Sequence, residues 1–313
     1  MINETKNINI DEEIIDDDFI MSPKVDFVFK LIFGDEKNKD VLIAFLSAAL
    51  RLPKEEFEEI ELINTELLRE FKEDKKGILD IRVKTMSGKQ IDIEIQILPT
   101  EFMAERTLFY WSKMYNGQIA AGDTYDKLKK CITINIVDFE RIPLDKIHTK
   151  FHILEDETGY KLTDVLEIHF LELPKLAKQQ TLKDVDDPIM EWLKFIDANS
   201  KEGMEMLANK NENIKTAYEI LRKVSKSKEA RMAYEARQAE IMDQLTREKS
   251  AREEGLKEGL EKGLEKGLEK GLEKGIEKNK LDTAKMALMM NLPLDQIEKL
   301  TGLSKDLISK LKS

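Results

Sequence analysis

The sequence contains few of the residues that several kinds of fold and location require. Its single cysteine, Cys131, excludes a disulfide within the chain, and the apolar, strand-like surroundings predict an inert core thiol. The longest apolar run, residues 41–50, is interrupted by Ser47 and is too short to span a bilayer. Residues 1–21 contain seven acidic residues and one lysine, the opposite of a secretory signal. These features favour a cytoplasmic protein with no membrane partner.

Several catalytic chemistries also lack their characteristic residues. His148 and His152 are four residues apart, but no carboxylate motif accompanies them, so a zinc site is disfavoured. The glycines of residues 255–275 do not follow a strand as the glycines of nucleotide-binding loops do, and no Ser-His-Asp arrangement can be singled out. The net charge of −11 disfavours a broad non-specific coat of nucleic acid, although local basic faces remain compatible with it.

Composition and periodicity divide the 313 residues into five segments. Residues 1–21 are interpreted as a flexible acidic arm, and residues 22–177 as a compact α/β domain. Residues 178–250 are predicted to form a helical subdomain, residues 251–280 a repetitive spacer and residues 281–313 a short helical unit. The patterns within these segments predict helices over 25–33, 41–50, 101–121, 214–221, 230–245 and 281–290, and strands over 60–63, 131–137 and 166–173.

The spacer repeats Gly-Leu-Glu-Lys, with a period of four residues. In a helix each repeat turns the leucine row by about 40° beyond a full turn, so the leucines wind around the helix and do not form a leucine-zipper seam. Each glycine costs about 1 kcal/mol relative to alanine, and Glu–Lys pairs offset part of that cost. We interpret the segment as a marginal helix. A helix whose glycines allow close contact with a second copy is the alternative.

The terminal unit is rich in leucine and methionine, with a glycine turn before Ser304, the predicted cap of a last helix. Short helices joined in this way resemble a helix-turn-helix unit, and an ordinary helical hairpin explains the pattern equally well. Because the segment is too short to bury its apolar side chains well, we expect it to form a homo-oligomer or to dock DNA.

The most informative pattern is a pair of alternating apolar and polar runs, residues 78–85 and 91–98, joined by a Ser-Gly turn. Residues two apart in a strand share a face. A sheet with one solvated face alternates in the same way, so the pattern alone allows a purely structural interpretation.

One face of this hairpin gathers carboxylates. Asp92, Glu94 and Gln96 point to the same side, and Asp80 can face them across the hairpin if the register allows. Neighbouring carboxylates repel each other unless a cation lies between them. Hard oxygen ligands of this kind suit Mg²⁺ or Mn²⁺.

Asp80, Glu94 and Gln96 fit the pattern Asp-x13-Glu-x-Gln, which resembles the PD-(D/E)XK nuclease signature with glutamine in place of the usual lysine. An ordered set of surrounding blocks strengthens the match; these are residues 22–30, 106–111, 122–128, 167–175 and 192–195. Together the blocks resemble the Rpn family of recombination-promoting nucleases and transposases over about residues 22–200. The resemblance implies an α/β, restriction-endonuclease-like core, a mixed sheet flanked by helices, to which the C-terminal segments add an all-helical extension.

The resemblance also implies a function, the metal-dependent hydrolysis of DNA in recombination or transposition. Asp80 and Glu94 are then the expected ligands of Mg²⁺ (or Mn²⁺), and Gln96 is expected to orient the attacking water or to contact the phosphate. Because glutamine cannot supply the positive charge of a lysine, the competing interpretation is a weak or inactive nuclease fold that serves as a DNA-binding or protein-assembly module.

Four further residues are candidates for supporting roles. Asp26 lies on the first predicted helix, where such folds place a further acidic residue; an ion pair with Lys30 is the alternative. Arg106 and Gln118 belong to the long predicted helix and could face the substrate, although either is equally well explained as a solvent-facing residue.

Overall fold

The computed structural model describes residues 18–63, 80–181 and 187–311. Most of the predicted acidic arm (residues 1–17) and the start of the predicted hairpin (residues 78 and 79) lie outside these ranges. The described residues form two compact units that divide between Met242 and Asp243. Among the described helices, none has the length and apolar character needed to cross a membrane.

The first unit is built around a mixed sheet of six strands. They are β1 (Ile60–Leu62), β2 (Ile81–Thr85), β3 (Gln90–Gln96), β4 (Cys131–Val137), β5 (His148–Phe151) and β6 (Leu166–Glu172). They lie in the order β1-β2-β3-β4-β6-β5. Strands β3, β4 and β6 are parallel, whereas β1, β2 and β5 pair antiparallel with their neighbours. The mixed sheet predicted for the nuclease-like core is therefore confirmed.

The described residues also form nine α-helices, some of which cover the sheet, while the last ones belong to the second unit. They are α1 (Asp26–Phe33), α2 (Lys39–Leu50), α3 (Met103–Asn116), α4 (Met190–Asp197), α5 (Lys201–Ala208), α6 (Glu212–Ser225), α7 (Lys228–Met289), α8 (Leu294–Thr301) and α9 (Lys305–Lys310). Helix α3 is shorter than the helix predicted over residues 101–121. It ends at Asn116, and the N–H of the following Gly117 donates the last helical hydrogen bond to the Lys113 carbonyl oxygen at 3.0 Å.

The two faces of the sheet are covered by different elements. Ile93 and Ile134 belong to the main core, which also contains the apolar side chains of α1, α2, α4 and α6. On the opposite face, Thr107 of α3 donates a hydrogen bond to Asn135 of β4 at 3.1 Å. Strand β3 is consequently buried on both faces. The interpretation of its acidic side as a solvated face is wrong, because α3 covers that side.

The second unit comprises the rest of α7 with α8 and α9. Helix α7 runs without interruption through the Gly-Leu-Glu-Lys repeats, so the separate helix predicted over residues 281–290 is the end of α7. The repeat leucines are exposed, Leu256 by 75%. Gly302 ends α8 with a φ of 70°, a conformation that glycine adopts without steric cost. Ser304 accepts a hydrogen bond from the Leu307 N–H and caps α9 as predicted.

Candidate active site

The hairpin register brings Asp80 and Glu94 together. Ile81 pairs with Ile93, so Asp80, directly before β2, lies opposite Glu94 on β3. Glu94 Oε1 accepts a hydrogen bond from the Asp80 N–H at 3.1 Å, and Asp80 Oδ2 accepts one from the Ile95 N–H at 2.9 Å. Each carboxylate is thus held by the backbone of the opposite strand. The two acidic side chains are adjacent, as the alternation predicted.

Lys30 of α1 contacts Asp80 of this pair. Its Nζ lies 2.9 Å from Asp80 Oδ1. Asp26, one turn earlier on α1, forms a two-pronged ion pair with Arg237 of α7, with both N–O distances 3.0 Å. The alternative interpretation of Asp26 and Lys30 as partners is therefore wrong. Lys30 belongs to the acidic cluster, and the carboxylate of Asp26 is used in packing α7 against α1.

Arg106 of α3 lies between Glu94 and Gln96. Its Nη2 is 3.3 Å from Glu94 Oε2, and its Nη1 is 3.4 Å from Gln96 Oε1. The guanidinium group also lies over the Tyr110 ring, 5.2 Å from its centroid. The amide nitrogen of Gln96 donates to the Leu98 carbonyl at 3.0 Å. Arg106 is therefore a cation of the cluster and is not merely a solvent-facing residue.

Gln118 is not brought to this cluster. Its amide nitrogen donates to the Lys129 carbonyl and to the Cys131 sulfur, both at 3.0 Å, and its amide oxygen accepts from the Lys129 N–H at 2.8 Å. The predicted substrate-facing role of Gln118 is replaced by a structural one, because its amide fixes the segment before β4. Cys131 is buried, as predicted, and burial raises the pKa of its thiol to about 12; its inertness stays a prediction.

Asp92 is a buried acidic residue outside the matched motif. It is 1% exposed, and neither of its carboxylate oxygens has a hydrogen-bond partner among the described residues. Its neighbours Thr133, on β4, and Arg82, on β2, each also have a buried side-chain atom without such a partner. The strand alternation had already placed Asp92 on the face of Glu94. Only the structure shows that this face is closed to solvent.

Burial and mutual repulsion raise the affinity of the cluster for protons. The pKa of Asp92 is raised well above its ordinary value by burial and then by the neighbouring charges of Glu94 and Asp80. The pKa of Glu94 is raised to about 8, first by burial and then by the charge of Asp80, although the Arg106 guanidinium opposes the shift. A bound cation would offset the repulsion between the carboxylates and displace these protons.

The donor set of this cluster fits a divalent cation. Asp80 and Glu94 supply adjacent carboxylates, and beside them the side-chain oxygens of Asp92 and Thr133 have no hydrogen-bond partner within the described part of the chain. Carboxylate and hydroxyl oxygens are the hard ligands that Mg²⁺ and Mn²⁺ favour. A buried carboxylate without any donor is costly, and an ion would remove that cost. The cluster therefore has the chemistry of a metal centre.

A second group of potential metal ligands, His152, Asp164 and Glu167, lies close together beyond the other end of the parallel strands. Lys130 already holds this group. Its Nζ is 2.9 Å from Asp164 Oδ2 and 2.7 Å from Glu167 Oε2. An ammonium group that bridges both carboxylates supplies the charge that a metal would bring. We therefore place the candidate metal centre at Asp80 and Glu94.

A family model described as PD-(D/E)XK nuclease family transposase matches residues 23–251. Since the match covers most of the chain, the protein belongs to this family, as its motif and ordered blocks predicted. Membership gives a nuclease- or transposase-like function at that general level. No curated protein and no solved structure gives a significant match.

The raised pKa of Glu94 predicts a pH-dependent effect of Glu94→Gln. The native pKa of about 8 lies above the ordinary value of 4.5, so ionisation destabilises the native state. This loss of stability grows as the pH rises from about 4.5 to about 8 and is complete above that. Glutamine does not ionise. In EDTA, urea unfolding should show Glu94→Gln to be more stable than the wild type by about 2–4 kcal/mol at pH 9, with a smaller gain at pH 5.5.

The matched control is Glu61→Gln, which removes an exposed carboxylate from β1. Its effect on the free energy of unfolding should be small at both pH values. A gain for Glu94→Gln that is equal at pH 5.5 and pH 9, or larger at pH 5.5, contradicts the assigned cause.

Proposed function

We propose that this protein is a metal-dependent DNA endonuclease that hydrolyses phosphodiester bonds in the recombination or transposition of mobile DNA. Family membership supports the nuclease class. The observation that carries the finer proposal is the pair of Asp80, which is half-buried, and Glu94, which is buried, each held by the backbone of the opposite strand. Such a pair is unfavourable as a purely structural device, and its chemistry is that of a metal site.

Asp80 and Glu94 are the proposed ligands of Mg²⁺ or Mn²⁺, and Asp92 is a further oxygen donor beside them. When bound, the ion would polarise the scissile phosphate and lower the pKa of a coordinated water. Arg106 contacts both Glu94 and Gln96, so its guanidinium can bind a phosphate oxygen next to the carboxylates. Gln96 can accept a hydrogen bond from the attacking water and so orient it.

Lys30 supplies the positive charge that the motif lacks. Gln96 occupies the position where the family signature usually has lysine, and its amide is neutral. The ammonium group of Lys30 comes from α1 and lies 2.9 Å from Asp80, with 38% of its side chain exposed. A partly exposed lysine can turn from the carboxylate towards an incoming phosphate. The glutamine substitution therefore does not by itself require an inactive protein.

We further propose that DNA is the partner of residues 22–177, which contain all the residues of the metal centre. Residues 178–250 form the proposed helical subdomain, residues 251–280 the proposed spacer, and residues 281–313 the proposed docking unit. A cytoplasmic location stays a prediction from the single cysteine.

Asp80→Ala and Glu94→Ala should each abolish metal-dependent cleavage. Loss of one ligand should remove several kcal/mol of charge stabilisation, which corresponds to a rate at least about 100-fold lower. Nicking of supercoiled plasmid in Mg²⁺ measures the rate, and EDTA should eliminate it in the wild type. Circular dichroism should show that both variants remain folded.

The matched control is Glu61→Ala, which removes an exposed acidic side chain from the same sheet and should keep wild-type activity. Equal cleavage by wild type and Glu94→Ala, from equally purified preparations, would mean that another protein cuts the plasmid. A wild type that binds DNA but does not cut it would favour the DNA-binding or protein-assembly module.

Lys30→Ala should lower cleavage about 10-fold or more, because a charge beside the reacting phosphate is lost. Adding Gln96→Lys to the same protein should recover part of the activity, since it returns a cation to the motif position. Lys39→Ala, which removes a lysine paired with Glu36 on the surface, is the control. Unchanged cleavage by Lys30→Ala would exclude Lys30 from the reaction.

Deletion of residues 281–313 should change the oligomeric state or weaken DNA binding without affecting the metal centre. Four large apolar side chains of this unit are more than half exposed, which favours contact with a partner. They are Met286, Met289, Met290 and Leu300. Light scattering, gel-shift assays and Mn²⁺ titration measure the three properties.

Leu300→Glu should reproduce part of the effect without removing any residue, because it places a charge on the exposed apolar surface. If the truncated protein matches the full chain in both mass and DNA affinity, the terminal unit has neither proposed role.

A further inference from the structure

A cavity of about 360 Å³ opens at the β5 edge of the sheet, away from the candidate active site. His169 of β6 lies in its wall and pairs with Ile134 of β4, whose side chain lies in the α1–α2 core. Glu94 pairs instead with Asn135, whose side chain contacts α3. The cavity and the acidic cluster therefore lie on opposite faces of the sheet, and the cavity is a separate site.

The charged wall of this cavity is entirely basic. Its ionisable residues are Arg51, Lys146, His148, Lys150 and His169, and no carboxylate is among the described residues that line it. A concave surface lined by one sign of charge concentrates ions of the opposite sign. The composition of the wall therefore selects an anion.

Behind the wall, four buried groups form a continuous hydrogen-bonded chain. His148 Nδ1 lies 3.2 Å from Asp187 Oδ2, and His148 Nε2 lies 2.7 Å from His169 Nδ1. His169 Nε2 in turn lies 2.7 Å from Glu167 Oε1. The pKa values of Glu167 and Asp187 are both held low by hydrogen bonds to these imidazoles and to Lys130 or Arg51, which outweigh burial. Both carboxylates are therefore ionised and can only accept.

Counting protons along this chain assigns it a positive charge. The contacts Asp187–His148, His148–His169 and His169–Glu167 each need one N–H donor, whereas two neutral imidazoles carry only two. The filled chain holds three protons, so one imidazole is a cation. Burial lowers the pKa of His169.

Arg51 is fixed at the mouth of the cavity. It is the residue after α2 and adopts the left-handed conformation, with φ 55° and ψ 42°, where glycine is usual. Its Nη2 lies 2.6 Å from Asp187 Oδ2, the same oxygen that contacts His148. The buried carboxylate thus orients the guanidinium of Arg51 and the imidazole of His148 together before any ligand arrives.

Two lysines of the wall add to its positive charge. Arg51 and His148 both contact Asp187, whereas the ammonium groups of Lys146 and Lys150 pair with no carboxylate among the described residues. Two such ammonium groups suit a ligand with two negative charges. Phosphate monoesters carry close to two negative charges at neutral pH, whereas an internal DNA phosphate carries one.

We infer that this cavity is a binding site for a phosphate monoester, a terminal phosphate held by Arg51, Lys146, Lys150 and the His148 side of the buried chain. The bound phosphate can belong to a free nucleotide or to the end of a nucleic acid strand. The chemistry of recognition is the same for both sources.

Sulfate is the first probe, because its charge stays at two while phosphate titrates near neutral pH. Calorimetry with the full chain at pH 6.5 in EDTA should show saturable binding of one sulfate per chain. Arg51→Gln and Lys150→Gln should each weaken that binding about fivefold or more, since each removes a charge-assisted contact. Lys84→Gln, the control, removes an exposed lysine from β2 and should change the dissociation constant less than about twofold.

Three competitors then identify the source of the phosphate: a nucleoside 5′-monophosphate, a short duplex with 5′-phosphates, and the same duplex with 5′-hydroxyls. Displacement of sulfate by the phosphorylated duplex alone assigns the site to strand ends, and displacement by the mononucleotide alone assigns it to a free ligand. The inference is overturned if wild-type protein shows no saturable sulfate binding, if Lys84→Gln weakens it as much as Lys150→Gln, or if no phosphate monoester displaces sulfate. Glu94→Ala should keep the binding, so failure of the endonuclease proposal leaves this test intact.

Discussion

The candidate site depends on one costly arrangement, the burial of acidic side chains on the central strand β3. Asp92 and Glu94 alternate with isoleucines that build the main core, so the strand cannot release its acids to solvent without losing its apolar face. Helix α3 covers the acidic face, and the pKa of Glu94 rises to about 8 as a consequence. Burial and repulsion between the acids favour their protonation, and the same two causes would favour a cation beside them.

The positive charges beside these buried carboxylates do not fully compensate them. Lys30 and Arg106 reach the cluster from two different helices, but each keeps more than a third of its side chain exposed. They lower the repulsion at Asp80 and Glu94, while Asp92 stays without a donor among the described residues. A fully satisfied buried network would favour stability, whereas a half-satisfied one is typical of a site that receives a ligand. This distinction separates the acidic cluster from the Lys175 region, where a buried lysine contacts three carbonyl oxygens and Glu172.

The sequence allowed the sheet, the hairpin and the motif residues to be predicted, because these follow from periodicity and from spacing along nearby strands. Alternation allowed Asp80 to face Glu94 if the register permitted, and the structure supplies that register. Alternation could not show whether solvent or a helix covered that face. The predictions for Asp26, a supporting role at the site or an ion pair with Lys30, were wrong because its partner, Arg237, lies 211 residues further on. The substrate-facing role predicted for Gln118 was wrong because its amide forms hydrogen bonds with the backbone of Lys129, and sequence patterns do not indicate such bonds. Interactions set by tertiary packing were therefore the ones that sequence reasoning missed.

The two faces of the same parallel strands carry charges of opposite sign. Under α3, carboxylates collect without enough cations, and the donor chemistry is that of a divalent metal. At the β5 edge, lysines collect around a buried histidine pair whose two carboxylate partners are already used. Strand β4 lies between Glu94 and His169 and is apolar towards the core on one side and polar towards α3 on the other. Strand β4 therefore separates the acidic cluster from the basic cavity, so the charges of one do not neutralise those of the other.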